Sequence, residues 1–233
     1  MEAIVLVGGL GTRLGELTKD TPKPMLPIRG VPFLERLLCY LESHGFTRVV
    51  LAVGYKKEVV ESYFSNLDKN IPEIVYSVEE SPLGTGGAIF QALSMVTSKN
   101  VFVMNGDSYL DVNFDAMLHF HVAKSSDITI ASYFIRPADR YGVLQVNEKG
   151  KVIDFEEKGA CSDGLINGGI YLVNASLMHE LLEKIDRNSF SFEDAVLSNR
   201  SLELVKYHFQ TSGKFLDIGI PSDYAKAQEE LFL

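Results

Sequence analysis

Apolar runs and polar breaks alternate regularly through the first half of this 233-residue chain. Ala3-Ile4-Val5-Leu6-Val7 is continuously apolar and partly β-branched, the pattern of a short strand covered on both faces of a parallel sheet. Residues 33–41 change period. Leu34, Leu37, Leu38 and Leu41 recur at helical spacing as a core stripe, and Gly45 stands where a helix C-terminus wants a left-handed residue. Residues 48–53 predict a second buried strand, 58–64 a short helix and 74–78 a third strand. Residues 87–96 predict a helix and 101–105 a fourth strand. Strands alternating with helices predict an α/β fold with a Rossmann-like, mainly parallel central sheet, wound on both faces.

The second half changes character. Residues 127–134, 142–146, 151–156 and 168–173 are strand-like with few helices between them, and 146–152 reads as a hairpin turning at 148–150. Antiparallel strands, forming a lid or wall over the first half, are expected here. Helices return at 175–185 and at 221–231, the latter with Pro221 in its first turn. Ser191 reads as the N-cap of a further helix start, with Asp194 serving capping or packing. His119 and His121, two apart on a helical stretch, do not share a face and read as structural or exposed. With no linker, repeat or low-complexity run, residues 1–233 are expected to form one domain, its halves meeting near residue 110.

Composition narrows the class. Hydrophobic residues make up 46% of the chain, ordinary for a soluble globule. Acidic residues outnumber basic ones, 31 to 22, for a net charge of −9. That balance argues against broad binding to nucleic acid or an anionic membrane, while a phosphate pocket needs only a few local cations. Cys39 and Cys161 lie far apart, without metal-type spacing. No basic leader and no run of membrane-spanning length is evident, so a cytoplasmic location is expected.

The strongest chemistry follows the first strand: Gly8-Gly9-Leu10-Gly11-Thr12-Arg13-Leu14, then Pro22-Lys23-Pro24-Met25. A turn almost bare of side chains lets main-chain N–H groups approach an anion, and Arg13 and Lys23 add cations of different kinds. The dinucleotide fingerprint fails because Leu14 holds its third glycine position. The Walker pattern fails because no Gly-Lys pair precedes Ser or Thr. A polyphosphate site of another kind is implied.

Taken together, this loop and the Pro-Lys-Pro that follows resemble the signature of the sugar-1-phosphate nucleotidyltransferases, and the likeness runs along nearly the whole chain. Within that family the loop, Leu83-Gly84-Thr85-Gly86-Gly87 and Asp217-Ile218-Gly219-Ile220-Pro221 are most similar to the D-glycero-D-manno-heptose 1-phosphate guanylyltransferases. The mannose-1-phosphate nucleotidyltransferases are the nearest rival. Outside the class stands a non-catalytic nucleotide-sugar-binding subunit, disfavoured because Arg13, Lys23, Asp107 and Asp217 are all retained. The resemblance implies that Gly8, Gly9, Gly11, Thr12 and Arg13, after Leu6 at the strand end, hold a nucleoside triphosphate. It implies that Lys23 sits near the α-phosphate, and that Asp107 and Asp217 bind Mg²⁺. Gly142, Glu157, Lys158, Asn167 and Gly168 would form the pocket for a sugar 1-phosphate, with Lys158 on its phosphate. Glu79, Gly84 and Thr85 belong to the segment that meets the nucleobase. A carboxylate only accepts hydrogen bonds, and guanine offers two adjacent donors where uracil or thymine presents carbonyls, so Glu79 favours GTP. The C-terminal β-helix that some members carry is not expected within these 233 residues, and the reading leaves a homodimer open.

Overall fold

The computed structural model describes residues 1–9, 12–156, 163–182, 184–185 and 189–230, with the side chains of Thr12, Arg13 and Glu156 outside that description. The chain opens with β1 (Glu2–Leu6), then the 3-10 stretches Thr12–Thr18 and Lys23–Met25, the short pair β2 (Pro27–Ile28) and β3 (Val31–Pro32), and α1 (Phe33–Ser43). Next come β4 (Arg48–Val53), α2 (Lys57–Ser65), β5 (Glu73–Val78), α3 (Gly84–Leu93) and β6 (Asn100–Asn105). The second half holds β7 (Ser108–Leu110), α4 (Phe114–Ala123), β8 (Ile128–Ile135), β9 (Val143–Val146), β10 (Val152–Glu156) and β11 (Gly164–Asn174). It ends with α5 (Ala175–Leu182), a π-helical turn Glu193–Leu197, β12 (Lys206–Thr211), β13 (Phe215–Asp217) and α6 (Pro221–Glu230).

Nine strands form one sheet around β1, which pairs in parallel with β4 on one side and β6 on the other. β5 continues the parallel part beyond β4. Past β6 the sheet turns antiparallel. β11 pairs with β6 from Ile170 onward, meets β9 at Ile166, and runs beside β8 along its other edge. The expected antiparallel strands are therefore present, but they extend the same sheet instead of lying over it. β11 is long enough to belong to both halves, so the wall of the cleft is continuous with its floor.

Alternation along the central strands decides the layers. Ala3 and Val5 on β1, with Phe102 and Met104 on β6, point into a core shared with Leu34, Leu37, Leu38 and Leu41 of α1 and Phe114 and Met117 of α4. Ile4, Val101 and Val103 point the other way, onto Ala88, Ile89 and Ala92 of α3 and Met178 and Leu181 of α5. A strand apolar on both faces is what helices on both faces require. α1 ends as its sequence predicts. Gly45 takes φ 77°, its N–H bonds the Glu42 carbonyl, and the Phe46 N–H bonds that of Leu41.

α3 begins at Gly84, earlier than the spacing predicts, and ends at Leu93. Its opening Gly-Thr-Gly-Gly is poor helix sequence. Tertiary contact holds it: the Gly86 N–H donates to the Phe190 carbonyl at 2.9 Å, and the Phe190 N–H to the Leu83 carbonyl at 2.9 Å.

Glu2, buried at the start of β1, accepts from Arg48, from the Ser98 N–H at 2.7 Å and from the Thr97 N–H at 3.0 Å. Burial alone would raise its carboxyl pKa, but hydrogen bonds from Ser98, Thr97 and Arg48 outweigh it and hold the group at about 2. A depressed folded-state pKa gives stability that is present above the unfolded value of 4.5 and is lost as pH falls toward about 2. Glu2→Gln should therefore lower the melting temperature at pH 7 by about 4–8 °C, from roughly 2 kcal/mol of lost charge-assisted bonding. The gap to the parent should close on acidification through that window, as read by circular dichroism.

Candidate active site

A cleft of about 630 Å³ opens where β1 and β6 end, lined by Leu6, Asn105 and Asp107 from those strand ends. Carboxyl ends of parallel strands are where open α/β sheets bind ligands. Gly9, Lys23 and Pro24 close one side, and Gly142, Phe155, Asn167 and Gly168 from the antiparallel strands close the other.

Lys23 enters between two prolines. Pro22 (φ −62°) and Pro24 fix the backbone of the 3-10 turn, and Pro24 and Met25 are buried, so the turn is anchored from below while the lysine points up into the cleft. Its ammonium lies 2.6 Å from Asp107 Oδ2 and 3.9 Å from Asp217 Oδ1, with the lysine side chain only 13% exposed.

Asp107 and Asp217 meet through a small clip that the sequence pattern misses. β7 and β13 pair antiparallel with Asp217 opposite Ser108, and the Ile218 N–H donates to the Asp107 carbonyl at 3.1 Å. On the other side, the Gly106 N–H bonds the Leu6 carbonyl at 2.9 Å, locking the start of the clip to the end of β1. Burial pushes the Asp217 carboxyl up, Asp107 adds to this, and Lys23 partly offsets both. Such a pair gains from added positive charge. Two carboxylates and no nitrogen or sulfur donor form a set suited to a hard divalent ion that completes its shell with water and phosphate. Among the described residues there is no group of three or more His, Cys, Asp or Glu poised to hold a metal by itself.

Glu79 and Glu80 part company. Glu80 is exposed, whereas Glu79 turns inward, accepts from the Leu83 N–H at 3.0 Å, and lies so close to Gly8 that a Cβ there would meet its Oε1 at 2.6 Å. Burial pushes the Glu79 carboxyl up. The carboxylate thus borders Gly8, and among the described residues its Oε1 takes no hydrogen bond. Gly84, at φ 69°, has a packing reason for being glycine: a Cβ would lie 2.5 Å from the Phe190 carbonyl oxygen. Thr85 lines the cleft and bonds Glu193 at 2.9 Å. Gly11, Glu157 and Lys158 lie outside the described residues, as do the side chains of Thr12 and Arg13.

Several cleft residues escape the sequence reading. Phe155 and Phe215 are among them; with Tyr141, from the segment that holds Gly142, they give the cleft an aromatic side, Tyr141 meeting Phe215 edge-on at 5.4 Å. Glu193 lines the cleft, though Ser191-Phe192-Glu193-Asp194 reads only as a helix start; Ser191 does cap it, its hydroxyl accepting from the Asp194 N–H at 3.1 Å. A π-helical turn follows, a local irregularity frequent at functional sites. His121 is buried against Thr129 at 2.8 Å and His119 is exposed, so neither joins the cleft.

The sequence pattern of the nucleotidyl transferase family matches residues 2–232. The chain belongs to that family. Among nucleotidyl transferases it is 43% identical to the D-glycero-α-D-manno-heptose 1-phosphate guanylyltransferase of Aneurinibacillus thermoaerophilus, over 99% of this chain and 98% of that one. It is also 43% identical to the enzyme of that name from Campylobacter jejuni, over 96% and 97%. The crystal structure of HddC from Yersinia pseudotuberculosis superposes with a TM-score of 0.85 at 35% identity, covering 98% of each chain, and that protein has also been solved in complex with GMP-PN. Among the described residues of this nucleotidyl transferase no helix is long and apolar enough to cross a membrane.

Proposed function

We propose that the chain is a Mg²⁺-dependent sugar-1-phosphate guanylyltransferase, joining GTP to D-glycero-D-manno-heptose 1-phosphate and releasing pyrophosphate. The observation that carries this reading is the convergence of Lys23, Asp107 and Asp217 at the strand ends of one cleft. An oxygen of the sugar phosphate attacks the α-phosphorus of GTP as the bond to the β-phosphate's bridging oxygen breaks. The attacking sugar-phosphate oxygen is already ionised at neutral pH, so the reaction asks for alignment and charge neutralisation more than for a base.

The chain's residues divide that work. Main-chain N–H groups at Gly8 and Gly9, with Arg13, hold the triphosphate on one side of the cleft. Lys23 sits where attacking and leaving phosphates would crowd and offsets their mutual repulsion. Asp107 and Asp217 would hold Mg²⁺, which when bound neutralises charge on the α-phosphate and on the departing pyrophosphate. Glu79 accepts from the N1–H and the N2 amino group of guanine, two donors that ease the cost of its burial. Asn167, with Glu157 and Lys158 after β10, takes the sugar hydroxyls and phosphate, and Gly142 and Gly168 leave room for the ring. The two relatives at 43% identity, both named as guanylyltransferases of D-glycero-α-D-manno-heptose 1-phosphate, support the same base and sugar.

A matrix of the common nucleoside triphosphates against several sugar 1-phosphates, scored by pyrophosphate release, tests this. GTP with the heptose 1-phosphate should give the highest kcat/KM. Faster turnover with UTP, CTP or dTTP would overturn the base assignment, and faster turnover with mannose 1-phosphate the sugar assignment.

A further inference from the structure

Half-buried Glu193 receives three hydroxyls. Thr85 and Ser191 donate to its Oε2 at 2.9 and 3.1 Å, and Tyr171 donates to its Oε1 at 3.2 Å. Thr85 belongs to the segment opening α3, and Tyr171 to β11, so this carboxylate joins the two halves of the cleft. A carboxylate offers only lone pairs, so the single Tyr171 proton is committed to Glu193 and the Tyr171 oxygen becomes an acceptor. Burial keeps that phenol protonated by raising its pKa far above the usual value. Asn167 Nδ2 donates to it at 2.6 Å, while Asn167 Oδ1 accepts from the Gly169 N–H at 3.0 Å. A flipped amide would face an oxygen without a proton at one end and set N–H against N–H at the other. The orientation of Asn167 is therefore dictated from behind. Asn167 lines the cleft, and beyond these two bonds its amide retains one N–H and one lone pair, a match for two neighbouring hydroxyls.

We infer that Tyr171 and Glu193 are positioning residues that fix the Asn167 amide to read a vicinal hydroxyl pair of the sugar 1-phosphate. Through Thr85, Glu193 ties that setting to the nucleotide segment. The inference rests on the sugar assignment of Asn167 proposed above and adds how its orientation is imposed.

The test is a double-mutant cycle with steady-state kinetics on the intact protein, using whichever sugar 1-phosphate turns over best. Tyr171→Phe should raise KM for the sugar 1-phosphate about tenfold, the loss of one buried hydrogen bond, and leave KM for the triphosphate within about twofold. Glu193→Gln should raise both. In an Asn167→Ala background, Tyr171→Phe should add less than about twofold, because the amide it orients is gone. A full second increment there would overturn the inference, as would an unchanged sugar KM in Tyr171→Phe alone. Should Tyr171→Phe fail to fold, Glu193→Gln takes its place in the cycle, with the same two outcomes read on the sugar KM. Absence of turnover by the parent protein with every sugar 1-phosphate would overturn the proposed function and this inference together. Normal parental turnover with an additive cycle would overturn this inference alone.

Discussion

Lys23→Ala should lower kcat by about 10²–10³-fold, the range found when a single preorganised charge-stabilising donor is removed, with little change in melting temperature. The ammonium is held 2.6 Å from Asp107 and 3.9 Å from Asp217 by a turn whose buried anchors, Pro24 and Met25, the substitution leaves in place. What disappears is the cation that, among the described residues, pairs with both Asp107 and Asp217 beside the space where two phosphate esters must meet. With the substrates bound, the repulsion at that point is left to the more distant cations and the metal pair, none of which occupies the ammonium's place. The loss should therefore fall on kcat more than on either KM, because repulsion peaks as the esters close on each other. Single-turnover pyrophosphate release reads it directly, and near-normal rates would remove Lys23 from the mechanism.

Asp107→Ala should be of similar size, with a signature of its own. The Asp217 carboxyl is already pushed up by burial and by Asp107, so removing Asp107 leaves one partly buried carboxylate to hold a divalent ion. The expected result is a loss of about 10²-fold or more at low Mg²⁺, with part of the rate returning as Mg²⁺ is raised and the remaining ligand is saturated. Chelating the metal should abolish turnover in the parent protein. A rate profile against Mg²⁺ that matches the parent would show that Asp107 is not a ligand. Lys23, released from its ion pair, should leave the fold unharmed, since neither side chain belongs to the apolar layers.

How much of this was legible beforehand varied with the kind of signal. β1, β4 and β6 are visible because a strand covered on both faces is apolar almost throughout, and few other structures demand that, while the half-buried edge strand β5 shows through its Ile74-Val75-Tyr76 run. Lys23, Asp107 and Asp217 are singled out by the family resemblance of the motifs around them, and the structure brings the three side chains together. β12 is not visible: Lys206, Tyr207, His208, Phe209, Gln210 and Thr211 form a strand paired in parallel with β8, and its alternation, Tyr207 and Phe209 on one face among polar residues, is too short to announce a strand. β7 and β13 span three residues each, too short for any periodicity. The start of α3 is misjudged because glycines argue against a helix that Phe190 then supports from another part of the chain. Glu193 is hidden for a related reason. Its importance lies in the distant Thr85 and Tyr171, and nothing next to it in sequence announces either partner.

The clip between β7 and β13 also sets a timetable. During synthesis the phosphate loop, Lys23 and Asp107 all emerge well before Asp217, and the second carboxylate takes its place only when β13 has docked against Ser108. On the proposed reading, a ribosome-bound chain that stops short of that strand would carry Lys23 and Asp107 in place with the second carboxylate of the metal pair missing. Turnover would then wait for a strand far downstream of the loop it completes.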